Sequence, residues 1–206
     1  MESSSTNIRK VVPVSKRTLR ADAQRNADAL LEAAKTVFAG SGVDAPAKEI
    51  ADIAGVGVGT LYRRFPRRAD LIKAVLEREI DARAQAALSL LATRDPVTAL
   101  THWLLAHADF LANKPRLAPA LHSGDPAFDG LPEYFWQRLG PALTSLLNAA
   151  ADAGEIRADI SAHDILTAIS DLSHTAAGKD SAYSHRMITL LIDGLRYHPD
   201  TCQPGR

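Results

Sequence analysis

Between Lys48 and Leu71 the chain reads Ile50-Ala51-Asp52-Ile53-Ala54-Gly55-Val56-Gly57-Val58-Gly59-Thr60-Leu61-Tyr62-Arg63-Arg64-Phe65 at its centre, an order that leaves few folds open. Two short apolar stripes flank a glycine-rich break, the pattern of two short helices around a tight turn. Ile50 and Ala54, four apart, give the first helix one buried side. Pro46 suits a first helical position, with Asp44 close enough upstream to cap it. Ala51 is small where a second helix must cross closely, and Gly55 falls where the turn needs a backbone conformation most residues resist. Val56, Leu61 and Phe65 then bury the second helix. That leaves Gly59, Thr60, Tyr62, Arg63 and Arg64 facing outward, a rod of donors and cations suited to a DNA major groove.

These residues resemble the TetR-type transcriptional regulators, whose DNA-binding domains carry a similar Ile-Ala-x-x-Ala-Gly-Val-x-x-Gly-Thr-Leu-Tyr-x-x-Phe-x-x-[Lys/Arg]-x-x-Leu pattern. Here it is met by Ile50, Ala51, Ala54, Gly55, Val56, Gly59, Thr60, Leu61, Tyr62, Phe65, Arg68 and Leu71, with Ile53 standing between Ala51 and Ala54. The match runs over roughly residues 20 to 80. It implies an all-α fold: an N-terminal three-helix helix-turn-helix domain and a C-terminal helical ligand-binding and dimerisation bundle, about nine helices in all. Carried over position by position, Tyr62, Thr60 and the Gly59 amide donate to phosphates, and Arg63 or Arg64 forks onto guanine edges. Arg68 matches a basic residue that clamps phosphate. Ala47 stands where the family often has a threonine, so that hydroxyl contact is missing and Lys48 beside it is the substitute. The other reading of Arg63, Arg64, Arg67 and Arg68 is a solvated basic face.

Charge is distributed in the same sense. The net charge is zero, yet residues 1–80 hold 14 basic and 10 acidic side chains while residues 81–206 hold 10 and 14. A net +4 half and a net −4 half fit a chain with one DNA-facing end. From Ser3 to Ala21 there is no acidic residue, and Arg9, Lys10, Lys16, Arg17 and Arg20 lie there with Pro13. Residues 1–20 are read as a flexible basic arm that either adds salt-dependent DNA contact, through Arg20 in particular, or only aids solubility.

The boundaries expected are a helix-turn-helix domain at 21–66, a connecting helix at 67–80, a ligand-binding and dimerisation domain at 81–198 and a tail at 199–206. A first helix starts at Asp22 and ends at Gly40-Ser41-Gly42, and a fourth follows Pro66 and runs past the head as a lever. Pro96 opens a helix closed by Lys114-Pro115, and a short helix is predicted over Leu117 to His122. Pro132 begins a long helix through Ala153, interrupted by a kink at Gly140-Pro141. Two more run from about Ala162 to Ala177 and Ala182 to Arg196. The chain is 46% hydrophobic but only 5% aromatic, which suits a helical protein with a substantial core.

The resemblance further implies a homodimer built on the last two helices and a small effector held between helices of the second domain. A single short recognition helix buries little surface on DNA, so two copies reading half-sites are expected on physical grounds as well. Ile165, Ile169, Leu172, Met187, Leu190, Leu191 and Leu195 are the seam candidates, with ordinary core as the other reading. For the effector, Trp103, His107, Phe110, Phe128, Phe135, Trp136 and His174 are the candidate walls and polar contacts, Tyr134 and His122 lying nearby. No cluster of cations accompanies them, which favours an apolar or amphipathic ligand.

Other classes fare worse. The seven histidines form neither an HExxH pair nor a nucleophile triad, the lone Cys202 allows no disulfide framework, and no cofactor, metal or enzymatic activity is expected. No apolar run reaches membrane-spanning length and the N-terminus lacks a secretory segment, so a cytoplasmic protein is expected. The alternative function is a helical ligand-binding or interaction protein that no longer binds DNA.

Overall fold

Helices follow the apolar periodicity throughout. The computed structural model describes residues 16–112, 123–175 and 181–196, with side chains at all of these except 16–20, 112, 173–175 and 181. In chain order the helices are α1 (Lys16–Gly40), α2 (Ala47–Ile53), α3 (Val58–Arg64), α4 (Arg68–Thr93), α5 (Pro96–Ala112), α6 (Leu131–Asp152), α7 (Ala162–Thr175) and α8 (Ser181–Arg196), with a 3-10 turn at Pro126–Phe128 between α5 and α6. Among the described residues there is no strand. The short helix expected over Leu117 to His122 lies outside them.

Two cores form. The head core gathers Leu30, Val37 and Phe38 of α1, Ile50 and Ala51 of α2, Leu61 of α3, Phe65, and Leu71, Ile72, Val75 and Leu76 of α4. The body core takes Ile80 and Ala87 from the same α4, together with residues of α5, α6, α7 and α8. One continuous helix of 26 residues is therefore shared by both. The connecting helix expected to stop near residue 80 runs on to Thr93, because Ile80 and Ala87 keep the buried stripe going at helical spacing.

Local departures have local causes. No proline or glycine interrupts the chain between Val14 and Ala39, and α1 begins at Lys16, so residues 16–20 of the expected arm are its first turns. α2 begins after Pro46 with no side-chain cap, and Asp44 is exposed and does not fill that role. The turn behaves as expected: Gly55 has φ of +67° and Val56 N–H closes back onto Ala51 O at 3.0 Å. α6 stays helical through Gly140-Pro141, where an interruption was expected. Pro141 is exposed, so water can take the carbonyl its missing N–H leaves free.

Candidate functional site

On α3, Leu61 is 3% exposed and points into the head core while Tyr62 is 54% exposed. Gly59, Arg63 and Arg64 are exposed beside it and Thr60 is half-buried. Arg63 Nη2 reaches the Thr60 hydroxyl at 3.3 Å, and the Arg64 guanidinium lies 5.5 Å from the Phe65 ring centroid. These five residues come together on one outward face. A Cβ added at Gly59 would meet nothing within 4 Å, and its φ is not positive. The fold itself does not require a glycine there, whereas close approach of a phosphate to the first-turn amides does.

Two expected phosphate contacts are otherwise occupied. Arg68 donates from Nε to Val43 O at 2.7 Å and from Nη2 to Ala45 O at 2.6 Å, over the Phe38 ring at 4.9 Å. Its guanidinium ties α4 to the loop between α1 and α2, and burial pushes its pKa down. Arg68 is thus a brace of the head rather than a free clamp, because those two carbonyls need donors. Lys48 pairs with Asp52 at 2.6 Å, but both are exposed, so this pair holds it weakly. Arg67 is bound by the Asp70 carboxylate at 2.7 Å. The Arg20 backbone lies in α1; its side chain is outside the described residues.

In the body the aromatic candidates divide. Trp103 and His107 of α5 stack at 5.2 Å and 13°, His107 and Phe110 at 5.9 Å and 25°, and Phe135 of α6 sits 5.7 Å from His107. Phe135 meets Trp136 edge-on, and Trp136 lies 4.5 Å from His163 of α7. Phe128 does not join them. Asp125 accepts from Ala127 N–H at 2.8 Å and lies 3.8 Å from Arg67, and the 3-10 turn thus held sets Phe128 into the head core. The His174 side chain, His122 and Cys202 lie outside the described residues.

His107 is fully buried and, among the described residues, neither ring nitrogen has a hydrogen-bond partner. Burial, then the charge of Arg83, pushes its pKa down to about 3. Arg83 of α4 was missed in the sequence. Its guanidinium lies 4.4 Å from the Phe110 centroid, Nη1 donates to Ala106 O at 2.5 Å, and Trp103 Nε1–H donates to its carbonyl at 2.9 Å. Desolvation lowers its pKa to about 10. The available signal was spacing: Arg83 stands three residues after Ile80 and four before Ala87, inside the buried stripe.

The seam candidates divide as well. Ile169 is fully buried and belongs to the body core, with no surface to offer a partner. Ile165 and Leu195 are nearly as buried, yet with Leu172, Met187, Leu190 and Leu191 they line an open, almost wholly apolar groove of about 480 Å³ across α7 and α8. Leu190 is 64% exposed at its edge.

An outward donor-bearing helix on a small helical head, joined by one long helix to an aromatic-lined body, defines a helix-turn-helix transcriptional regulator. The chain belongs to the TetR family: residues 30–75 match the model of bacterial regulatory proteins of the tetR family, and residues 95–197 match the C-terminal domain of SbtR-like transcriptional regulators. It is similar to the TetR regulator SCO0520 of Streptomyces coelicolor, at 38% identity over 82% of this chain and 98% of that one, TM-score 0.70. It is also similar to a TetR regulatory protein of Mycobacterium vanbaalenii, at 34% identity over 87% and 99%, TM-score 0.68. A TetR-family regulator of Rhodococcus, 21% identical over 84% of this chain and all of that one with TM-score 0.62, shares the fold. No curated protein sequence matches it. The family's members are non-enzymatic transcription factors, and no helix among the described residues is long and apolar enough to cross a membrane.

Proposed function

We propose that the protein is a dimeric, sequence-specific repressor that leaves its operator when a small amphipathic ligand binds the helical body. The observation that carries DNA binding is α3: Leu61 anchors it while Gly59, Thr60, Tyr62, Arg63 and Arg64 remain outward and free of carboxylate partners among the described residues. Arg63 and Arg64 supply base-edge forks, and Tyr62, Thr60 and the Gly59 amide supply phosphate contacts. A second copy is seated on the α7 and α8 groove, whose apolar lining needs cover. Release follows if the ligand favours a conformation with wrongly spaced heads; a coupling of about 1–3 kcal/mol lowers affinity about 5- to 150-fold. Such a regulator acts in the cytoplasm.

Gel-shift titration against the DNA upstream of its own gene, repeated at several salt concentrations, tests this. A regulator gives a steep negative salt slope. A helical ligand carrier that has lost its operator gives none, and that result overturns the proposal.

A further inference from the structure

Among the described residues the buried side-chain atoms without a hydrogen-bond partner are Nδ1 and Nε2 of His107 and Nε of Arg83, and all three lie at one place. His107 packs against Trp103, Phe110 and Phe135, and Arg83 lies over the same Phe110 ring while donating to the carbonyl of Ala106, the residue before His107. Buried polar groups are paired as a rule. A phenylalanine at 107 would complete the aromatic stack without burying two bare nitrogens. An imidazole kept there at a cost to stability is the mark of a site whose partner comes from outside.

The orphaned atoms define that partner. In either tautomer His107 offers one N–H and one lone pair, while Arg83 Nε offers an N–H that carries charge. No carboxylate among the described residues is within ion-pair distance of Arg83; Glu79 and Asp109 act on it only at longer range. One cation matches one negative charge. The walls are flat rings, which favour a flat ligand.

We propose that this cluster is the recognition end of the effector site and that the effector is an aromatic monocarboxylic acid. Binding displaces the His107 ring from its stack, so that the effector's ring packs against these aromatic side chains and its carboxylate accepts from Arg83 Nε–H and the His107 N–H. This rests on the reading that the body binds an effector.

Isothermal titration of the full chain with benzoate, salicylate, benzyl alcohol and hexanoate tests it without DNA. Both aryl acids should bind. Benzyl alcohol and hexanoate should be weaker by about tenfold or more, the contribution of one charge-assisted hydrogen bond or of the ring's buried area. Arg83→Met should erase the preference for acid over alcohol. His107→Phe, which keeps the packing, should fold at least as stably and bind the acids about tenfold more weakly or worse. Equal affinity for benzoate and benzyl alcohol, acid binding unchanged in either variant, or no acid binding at all would overturn the inference. Gel shifts separate it from the release mechanism: acids that bind without freeing DNA sink release and leave the site standing, whereas release by other molecules with no acid binding does the reverse.

Discussion

Arg64 and Arg68 stand four residues apart and are held in opposite ways. Arg64 is exposed beside the Phe65 ring, so Arg64→Ala should leave the fold intact and cost about 1–3 kcal/mol of operator affinity, read by gel shift. Arg68 spends its donors on Val43 O and Ala45 O. Arg68→Ala should therefore lower stability by about 1–3 kcal/mol in urea denaturation while leaving the salt slope of DNA binding unchanged; a slope reduced by about one unit would restore it as a phosphate clamp. The motif alone could not separate these two arginines, since both are cations at helix ends. What separates them is a loop 25 residues upstream that supplies the acceptors. His107 gives a third residue-level test. Its folded pKa is about 3, against about 6.5 in an unfolded chain, so between those values the unfolded state holds a proton the native state lacks. Stability is full above pH 6.5 and falls by about 1.4 kcal/mol per pH unit on acidification through that window. His107→Phe should flatten this slope in denaturation curves taken from pH 4 to 7.

At the scale of elements, α4 places buried residues in both cores, Leu131 at the start of α6 packs against both, and the 3-10 turn at Pro126–Phe128 is a further tie between them. Phe128 is buried in the head core although its sequence neighbours lead into α6, where Phe135 faces His107. Phe128→Ala should leave a cavity costing about 3–5 kcal/mol of head stability, and ligand affinity in the body should hardly move. A large loss of ligand affinity instead would return Phe128 to the effector site. Most helices were legible because their apolar residues recur every three to four positions over long windows, a signal that burial itself creates. Phe128 was not, because a three-residue turn has no period and an aromatic residue in a loop can be drawn to either core. The first turns of α1 were misread as arm for a related reason: a basic stretch lacks an apolar stripe, yet nothing in it forbids helix. α6 is fastened to α4 through Asp81, which accepts from the Tyr134 hydroxyl at 2.8 Å and Arg138 Nε at 2.6 Å.

For the whole molecule the deciding quantity is which apolar residues remain uncovered once the single chain is folded. Periodicity marks α7 and α8 as amphipathic, but it assigns Ile169 and Leu190 to the same category, and only packing shows that the first is sealed in the body core and the second is 64% exposed. In the proposed dimer the second copy covers the groove that Leu190 borders and Ile169 does not, and it holds two heads at a fixed distance so that a short α3 reaches useful affinity. Those two roles meet at Leu190. Replacing it with glutamate puts a charge at the rim of the apolar groove, where a second copy would have to desolvate it, while the folded single chain keeps the new side chain in water. Leu190→Glu should therefore give a helical, cooperatively unfolding monomer by circular dichroism and sedimentation, with operator affinity lowered to what one head supplies. A variant that sediments as a dimer would move the seam elsewhere, and a monomer that binds the operator undiminished would show that the heads act independently.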